Sequence, residues 1–121
     1  MEMLSMNRSL VAAAGLAGAI GVAFAAAGSH IPGAERMATA GSIAMAQAPA
    51  LLTIGLLGRF GGRLLAIVGW VIAAGLLAFA GSLAFHDLTG SAALAFIAPI
   101  GGTVMILGWL GFVVAAVLAK R

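Results

Sequence analysis

The sequence predicts an all-α membrane domain, a four-transmembrane-helix up-down bundle formed by one domain over residues 1–121. Three observations predict it. Of the 121 residues, 64% are hydrophobic and 7% are charged, and the mean hydropathy is +1.22. A soluble domain has about a quarter charged residues, so this composition cannot cover a surface that faces water. The charges also fall into small groups, and turn-forming residues lie beside those groups.

Long charge-free runs define the predicted helices. The runs cover residues 9–34, 37–58, 64–86 and 88–119. Each is long enough for one crossing of the hydrocarbon, which needs roughly 20 residues, and none is long enough for two. We therefore predict helices near 9–28, 38–57, 64–85 and 93–118. Their short connections predict that consecutive helices are antiparallel neighbours.

The distribution of basic residues predicts the orientation. An even number of spans places both termini and the 58–63 loop on the same side of the membrane. That side carries all the Lys and Arg residues except Arg36. Short cytoplasmic loops are enriched in Lys and Arg, so both termini are predicted to be cytoplasmic.

Small residues dominate the predicted helices, most heavily in the first. Lipid provides little hydrophobic drive for helix association, so membrane helices associate by close packing at small residues. A nucleotide-binding loop is excluded for these glycines, because no strand precedes a turn and a helix here. The glycines predicted to pack against other helices are Gly15, Gly18, Gly21, Gly81, Gly101, Gly102 and Gly108.

Gln47 is the deepest strongly polar side chain of the predicted helices, and Pro49 beside it should kink the second helix. One interpretation of Gln47 is an interhelical hydrogen bond. The other is a site for the carbonyl group of a quinone, a lipid or a partner helix. That site would be lined by Gln47, Pro49, Ser82 and Thr103.

Trp109 is also predicted to lie at depth, where its indole N–H needs an acceptor and should face protein. An orientation toward lipid is equally compatible with the sequence.

A weak internal repeat relates residues 48–58 to residues 98–108. Ala, Pro, Thr, Leu and Gly coincide in the two segments. Both segments belong to helices that run in the same direction, so the repeat predicts a parallel duplication of a helical hairpin. Coincidence in a chain of such biased composition is the alternative.

The chemistry available to the chain is limited. No ionisable residue lies inside the predicted spans, which excludes proton pumps and ion-coupled carriers. His30 and His86 lie at the outer ends of their helices. We interpret them as solvated interfacial residues; the less favoured alternative is a shared metal or haem site. With no Cys and no Ser/His/Asp set, the sequence predicts no enzyme, catalytic residue, cofactor or metal site, and no nucleic-acid partner.

Several short motifs carry a family resemblance. They are Gly69-Trp70, Phe79-Ala80-Gly81-Ser82-Leu83, Leu88-Thr89-Gly90, Ala98-Pro99-Ile100-Gly101-Gly102 and Gly108-Trp109. From about Gly15 to Leu118 the chain resembles the YgdD-like family of small bacterial membrane proteins, whose pattern there is G-W, F-x-G-S-L, L-T-G, T-P-x-G-G and G-W.

The resemblance implies a multi-pass, four-helix protein of the bacterial inner (cytoplasmic) membrane, and it implies no activity. His30 is similar to the histidine of the family's G-A-H turn. The family's second helix carries a Tyr-His pair where this chain has Ala46 and Gln47, and Pro49 is an addition.

Two functional hypotheses follow. The first is a non-enzymatic accessory or structural subunit in the lipid bilayer, which packs against itself as a homo-oligomer or against other membrane protein subunits. The alternative is a bundle that binds or conducts a small apolar molecule such as a quinone or a lipid.

Overall fold

The computed structural model describes residues 5–119, and this part of the chain is helical without strands. It contains the α-helices α1 (Arg8–His30), α2 (Glu35–Leu57), α3 (Gly62–Thr89) and α4 (Ile97–Leu118). A short 3₁₀ helix, Gly58–Gly61, connects α2 to α3. The predicted all-α class is confirmed.

Three helical stretches are long and apolar enough to cross a membrane. They are Arg8–His30, Glu35–Thr89 and Ile97–Leu118. The middle stretch of 55 residues contains both α2 and α3 together with their 3₁₀ connection. This count supports a membrane protein with spanning helices, but it is one lower than the four crossings that the charge pattern predicts.

The helix boundaries differ from the prediction at the end of α3 and the start of α4. We expected a turn at residues 87–91, but α3 continues through Thr89. It ends at Gly90, which has φ 72° and whose N–H donates to the carbonyl of His86. A glycine in this left-handed conformation is a common helix stop, because it has no Cβ to clash. Asp87 therefore belongs to the last turn of α3, and α4 begins only at Ile97.

The chain reverses between α2 and α3 at Gly58 and Gly62, whose φ angles are +56° and +80°. A Cβ at Gly58 would overlap the backbone carbonyl of Ser5, so this turn requires glycine both for its conformation and for its close neighbour. At the far ends of the two helices Asp87 of α3 contacts the Met37 N–H of α2. The two helices are therefore antiparallel neighbours.

The first hairpin, α1 and α2, is held by a close backbone crossing. A Cβ added to Gly21 would lie 2.8 Å from Met45 Cγ and 3.0 Å from the carbonyl oxygen of Gly41. A Cβ added to Gly41 would lie 2.5 Å from the carbonyl oxygen of Gly21. The two backbones are thus too close for any side chain between them.

The second hairpin, α3 and α4, repeats this crossing. A Cβ added to Gly75 would lie 2.8 Å from the carbonyl oxygen of Gly101 and 2.8 Å from Met105 Cγ. Gly75 thus takes the position of Gly21 in the first hairpin. In both hairpins a glycine on the first helix faces a glycine on the second helix. A methionine follows that second glycine by four residues and contacts the same position.

The hairpin duplication therefore has a different register from the one in the sequence. The sequence comparison pairs Pro49 with Pro99, whereas the helix crossings pair Gly41 with Gly101 and Met45 with Met105. The two registers therefore differ by ten residues, since Gly41 and Gly101 are 60 positions apart whereas Pro49 and Pro99 are 50 apart.

The glycines predicted to pack occupy three kinds of environment. Gly21, Gly101 and Gly108 lie where an added Cβ would overlap a neighbouring helix. Gly18 and Gly102 have ordinary van der Waals neighbours, with Ala48 Cβ at 3.9 Å and Phe79 Cδ1 at 3.8 Å from the added atom.

Gly15 and Gly81 have no neighbour within 4 Å of an added Cβ. These two glycines make no close helix contact within the described chain, so their packing against a helix stays a prediction. Sequence reasoning also missed close contacts at Gly28, Gly41, Gly55, Gly69 and Gly75.

The core lies among α1, α2 and α3. Its largest fully buried side chains, Leu10, Leu51 and Ile72, come from these three helices in turn. α4 packs on α3 and adds Met105 to the same core. Within residues 5–119, α1 and α4 do not pack against each other, so the helices form a row of antiparallel pairs and not a closed ring.

We expect Gly41→Ala to lower the free energy of unfolding by about 1–2 kcal/mol, because the overlap with backbone atoms outweighs the roughly 0.5–1 kcal/mol of helix propensity that alanine adds. Gly15→Ala is the matched control, since it gains the same propensity on an open face. Unfolding in detergent, followed by circular dichroism, measures both. Equal stability of the two variants would contradict the backbone crossing.

Candidate functional site

Gln47 and Trp109 form a polar contact between α2 and α4. The Gln47 side chain is 7% exposed, and its Oε1 accepts a hydrogen bond of 2.6 Å from the indole Nε1 of Trp109. This is the geometry that the first interpretation of Gln47 describes. It connects two helices whose backbones do not pack directly.

Trp109 satisfies both expectations for its ring. Its N–H faces protein, and the residue is nevertheless 43% exposed. The ring also contacts Phe112, one turn later, with the ring centroids 5.3 Å apart. The indole therefore presents its polar edge to α2 and part of its apolar face to the surroundings.

Among the described residues, the other three residues of the predicted polar site make no hydrogen bond with Gln47. Ser82 is buried, and its hydroxyl donates to the Phe79 carbonyl of its own helix at 2.8 Å. Thr103 is exposed and its hydroxyl donates to the Pro99 carbonyl, also at 2.8 Å. Pro49 faces outward on α2. A polar site shared by these four residues therefore stays a prediction.

An apolar concavity lies elsewhere, between α1 and α3, with α2 as its floor. We refer to it as the α1–α3 groove; its volume is about 410 Å³. About half of its lining consists of alanine and glycine, and the remainder of leucine, isoleucine and phenylalanine. None of the four residues of the predicted polar site lines it. Its lining residues are Ala13, Leu16, Ala17, Ile20, Phe24, Ala44, Leu51, Ala73, Leu76, Leu77, Ala80, Gly81 and Ala84.

Asp87 forms the polar connection between the hairpins at the opposite end from the 3₁₀ turn. Its side chain is 1% exposed. Oδ2 accepts from the Met37 N–H at 2.8 Å, and Oδ1 accepts from Arg36 Nη1 at 3.1 Å. The N-cap of α2 is Ala34, which has no side-chain acceptor. A helix is normally capped by the side chain of its own N-cap residue. Here Asp87 of α3 caps the first turn of α2 instead.

Sequence reasoning placed Asp87 in a turn and missed this contact. The available signal was charge matching, because Asp87 and Arg36 both fall on the predicted outer side. Arg36 is 47% exposed, so the pair consists of a buried carboxylate and a guanidinium that reaches water.

His30 is the last residue of α1, and His86 lies in the last turn of α3. His30 is exposed and His86 is partly buried. Within residues 5–119, no group of three or more His, Cys, Asp or Glu side chains is arranged to hold a metal ion.

Large apolar side chains are exposed on all four helices, as illustrated by Leu16, Leu52, Leu77 and Leu110. Such a surface is unsuited to water and suited to hydrocarbon. The chain is thus an all-helical membrane protein. It belongs to the family described as Protein of unknown function (DUF423), whose profile matches residues 17–102.

Relatives of this chain are membrane proteins of the same uncharacterised kind. It is 42% identical over 65 residues to the UPF0382 membrane protein SERP0230 of Staphylococcus epidermidis. The aligned segment covers 54% of this chain and 53% of the relative. It is 43% identical over 49 residues to the UPF0382 membrane protein YwdK of Bacillus subtilis, which covers 40% of each chain. These matches span about half or less of the relatives' length.

No solved structure matches this chain. The family model and the relatives carry the descriptions DUF423 and UPF0382. Neither description confirms the YgdD-like name.

We expect Asp87→Ala to lower the free energy of unfolding by about 2 kcal/mol, because the first turn of α2 loses its cap. Arg36→Gln should cost only about 0.5 kcal/mol, since an exposed ion-pair partner contributes little. Chemical unfolding of both variants in the same detergent provides the comparison. An Arg36→Gln effect as large as that of Asp87→Ala would mean that the ion pair, and not the cap, stabilises this end.

Proposed function

We propose that this protein is a non-enzymatic accessory or structural subunit, which receives a helix of a partner in the α1–α3 groove. The partner is a second copy of the chain or a larger membrane complex. The observation that carries the proposal is the groove itself: three helices of one chain form an open, apolar slot. Small side chains allow a helix to approach closely, which is how helices associate in lipid.

The shape of the groove supports a helix as its occupant. It extends from Ala13 to Phe24 along α1, a length of about 16 Å at 1.5 Å per residue. That length corresponds to three turns of a partner helix. Leu77 is 76% exposed and stands at the rim, while Gly81, one turn later, has open space above it. A projecting side chain beside a gap is suited to interlock with a second helix.

The proposed absence of catalysis is supported by the lining of the groove. Its walls are alanine, leucine, isoleucine, phenylalanine and glycine. Groups that transfer protons or attack carbonyl carbons are therefore not presented to a molecule bound there.

The alternative, binding of a quinone or a lipid chain, is favoured by the same volume. Small-molecule sites have volumes of about 300–1,000 Å³ and are mostly apolar. At about 410 Å³ the groove falls within that range. The alternative therefore moves from Gln47, where the sequence placed it, to the α1–α3 groove.

We also propose that the protein crosses the membrane four times. As one straight helix, the stretch Glu35–Thr89 would measure about 80 Å, whereas the hydrocarbon core is about 30 Å thick. Its reversal at Gly58–Gly61 and the pairing of Asp87 with the start of α2 support two crossings instead.

Both termini are proposed to face the cytoplasm of a bacterial cell. At one end of the bundle Arg36 is paired with Asp87, and Glu35 lies beside it. The other end carries Arg8, Arg59 and Arg63. This asymmetry has the sign that cytoplasmic loops show.

The groove is tested with Gly81→Leu, which fills it, and with Gly15→Leu as the matched control. Both glycines are open, but only Gly81 lines the groove. Native mass spectrometry of protein extracted from its own membrane in a mild detergent reports the assembly. We expect a complex of defined stoichiometry for the wild type and for Gly15→Leu, and its loss in Gly81→Leu.

A different result would replace the proposal. A monomeric wild type that retains a quinone or a lipid, which Gly81→Leu releases, would favour the small-molecule alternative. Unchanged assembly in Gly81→Leu would exclude the groove as the contact surface.

The topology is tested by cysteine labelling, since the chain has no native cysteine. We expect Ser91→Cys to react with an impermeant maleimide in intact cells, and Phe60→Cys to react only after the membrane is opened. If Glu35–Thr89 crossed once, Phe60→Cys would lie within the hydrocarbon and would not react under either condition. Reaction of Phe60→Cys in intact cells would reverse the orientation.

A further inference from the structure

A second cavity lies at the end of the bundle where α2 turns into α3. Its volume is about 440 Å³, and it is bounded by the residues before α1 and by the 3₁₀ turn. We refer to it as the arginine cavity, because Arg59 of the 3₁₀ turn and Arg63 in the first turn of α3 both line it. Asn7 and Gly62 also line the cavity.

The two guanidinium groups have no protein partner among residues 5–119. The ion pair and the carboxylate hydrogen bonds of this part of the chain belong to Arg36 and Asp87, at the opposite end. Glu35 begins α2 and lies at that same opposite end. Two positive charges therefore line one cavity, and no carboxylate of the described residues is close enough to neutralise them.

Two further lining residues, Gly62 and Asn7, describe the wall of the cavity beside these charges. Gly62 has φ +80°, and an added Cβ there would meet no atom within 4 Å. The side chain of Asn7 is held in place because its Oδ1 accepts from the Leu10 N–H at 3.1 Å.

The position of the cavity indicates the chemistry of its ligand. It lies at the connection of two apolar helices of 23 and 28 residues, and such connections lie at the boundary between hydrocarbon and water. Lipid phosphate groups occupy that boundary. Arginine binds phosphate oxygens through paired N–H donors, and it does so more specifically than a single surface charge.

We propose that the arginine cavity binds the phosphate group of an anionic phospholipid, with Arg59 and Arg63 as the two ligating side chains. Basic pockets between membrane helices are suited to such headgroups. The bound lipid would hold the 3₁₀ turn and the start of α1 against each other at the membrane surface. This site is separate from the α1–α3 groove, but it rests on the proposed reversal of the chain at the membrane surface between α2 and α3.

The experiment measures lipid binding to the full-length protein in a neutral detergent by native mass spectrometry. The probes are dioleoyl phosphatidylglycerol and dioleoyl phosphatidylcholine, which differ in charge but share the same chains. The test variant is R59Q/R63Q. The matched control is R8Q, which removes one charge from the same end at a residue that does not line the cavity.

We expect the wild type to prefer phosphatidylglycerol by about tenfold or more. R8Q should keep that preference, and R59Q/R63Q should lose it. The single variants R59Q and R63Q are measured as well, with helix content checked by circular dichroism. If the double variant does not fold, both single variants must still reduce the preference.

Several outcomes would overturn the proposal. A wild type without preference would remove the site. An equal loss in R8Q and in the cavity variants would reduce the effect to general surface charge. Displacement of phosphatidylglycerol by an equal concentration of inorganic phosphate would assign the cavity to a free anion instead of a lipid.

Discussion

Close backbone approach at the glycine crossings is the constraint on which the rest of this structure depends. In lipid, apolar side chains gain little by leaving the solvent for one another, so helices need contact at short range to associate. The chain meets this need twice, at Gly21 with Gly41 and at Gly75 with Gly101. Each crossing defines one hairpin, and the methionine after the second glycine fills the space beside it.

Polar contacts connect the two hairpins to each other. Asp87 reaches from α3 to the first turn of α2, and Gln47 of α2 accepts from Trp109 of α4. A polar group without a partner is costly in an apolar environment, so each contact favours this one arrangement of the hairpins. The close crossings thus form the hairpins, and a few hydrogen bonds orient one against the other.

Composition and charge spacing predicted the helical class and the approximate positions of the four helices, because lipid demands long apolar segments. The predicted end of α3 is wrong because the charged residue Asp87 does not end the helix, which continues through Thr89. Asp87 can remain in the helix, since its carboxylate accepts from the Met37 N–H and pairs with the Arg36 guanidinium. Gly21 contacts α2 closely and Gly15 has no close neighbour, because only one face of α1 meets α2. The sequence does not show which face that is. The α1–α3 groove depends on how two non-consecutive helices are placed, which local sequence does not encode.

The cap that Asp87 provides has a consequence for biosynthesis. The Met37 N–H and the carboxylate that it binds are 50 residues apart in sequence, so the ribosome completes α1 and α2 well before the acceptor exists. During that interval the Met37 N–H lacks this acceptor. Under the proposed topology, the α1–α2 hairpin gains this cap only when the end of α3 has been translated and has returned to the same membrane surface. In that topology the cap of the second helix is completed only after the third helix has been inserted.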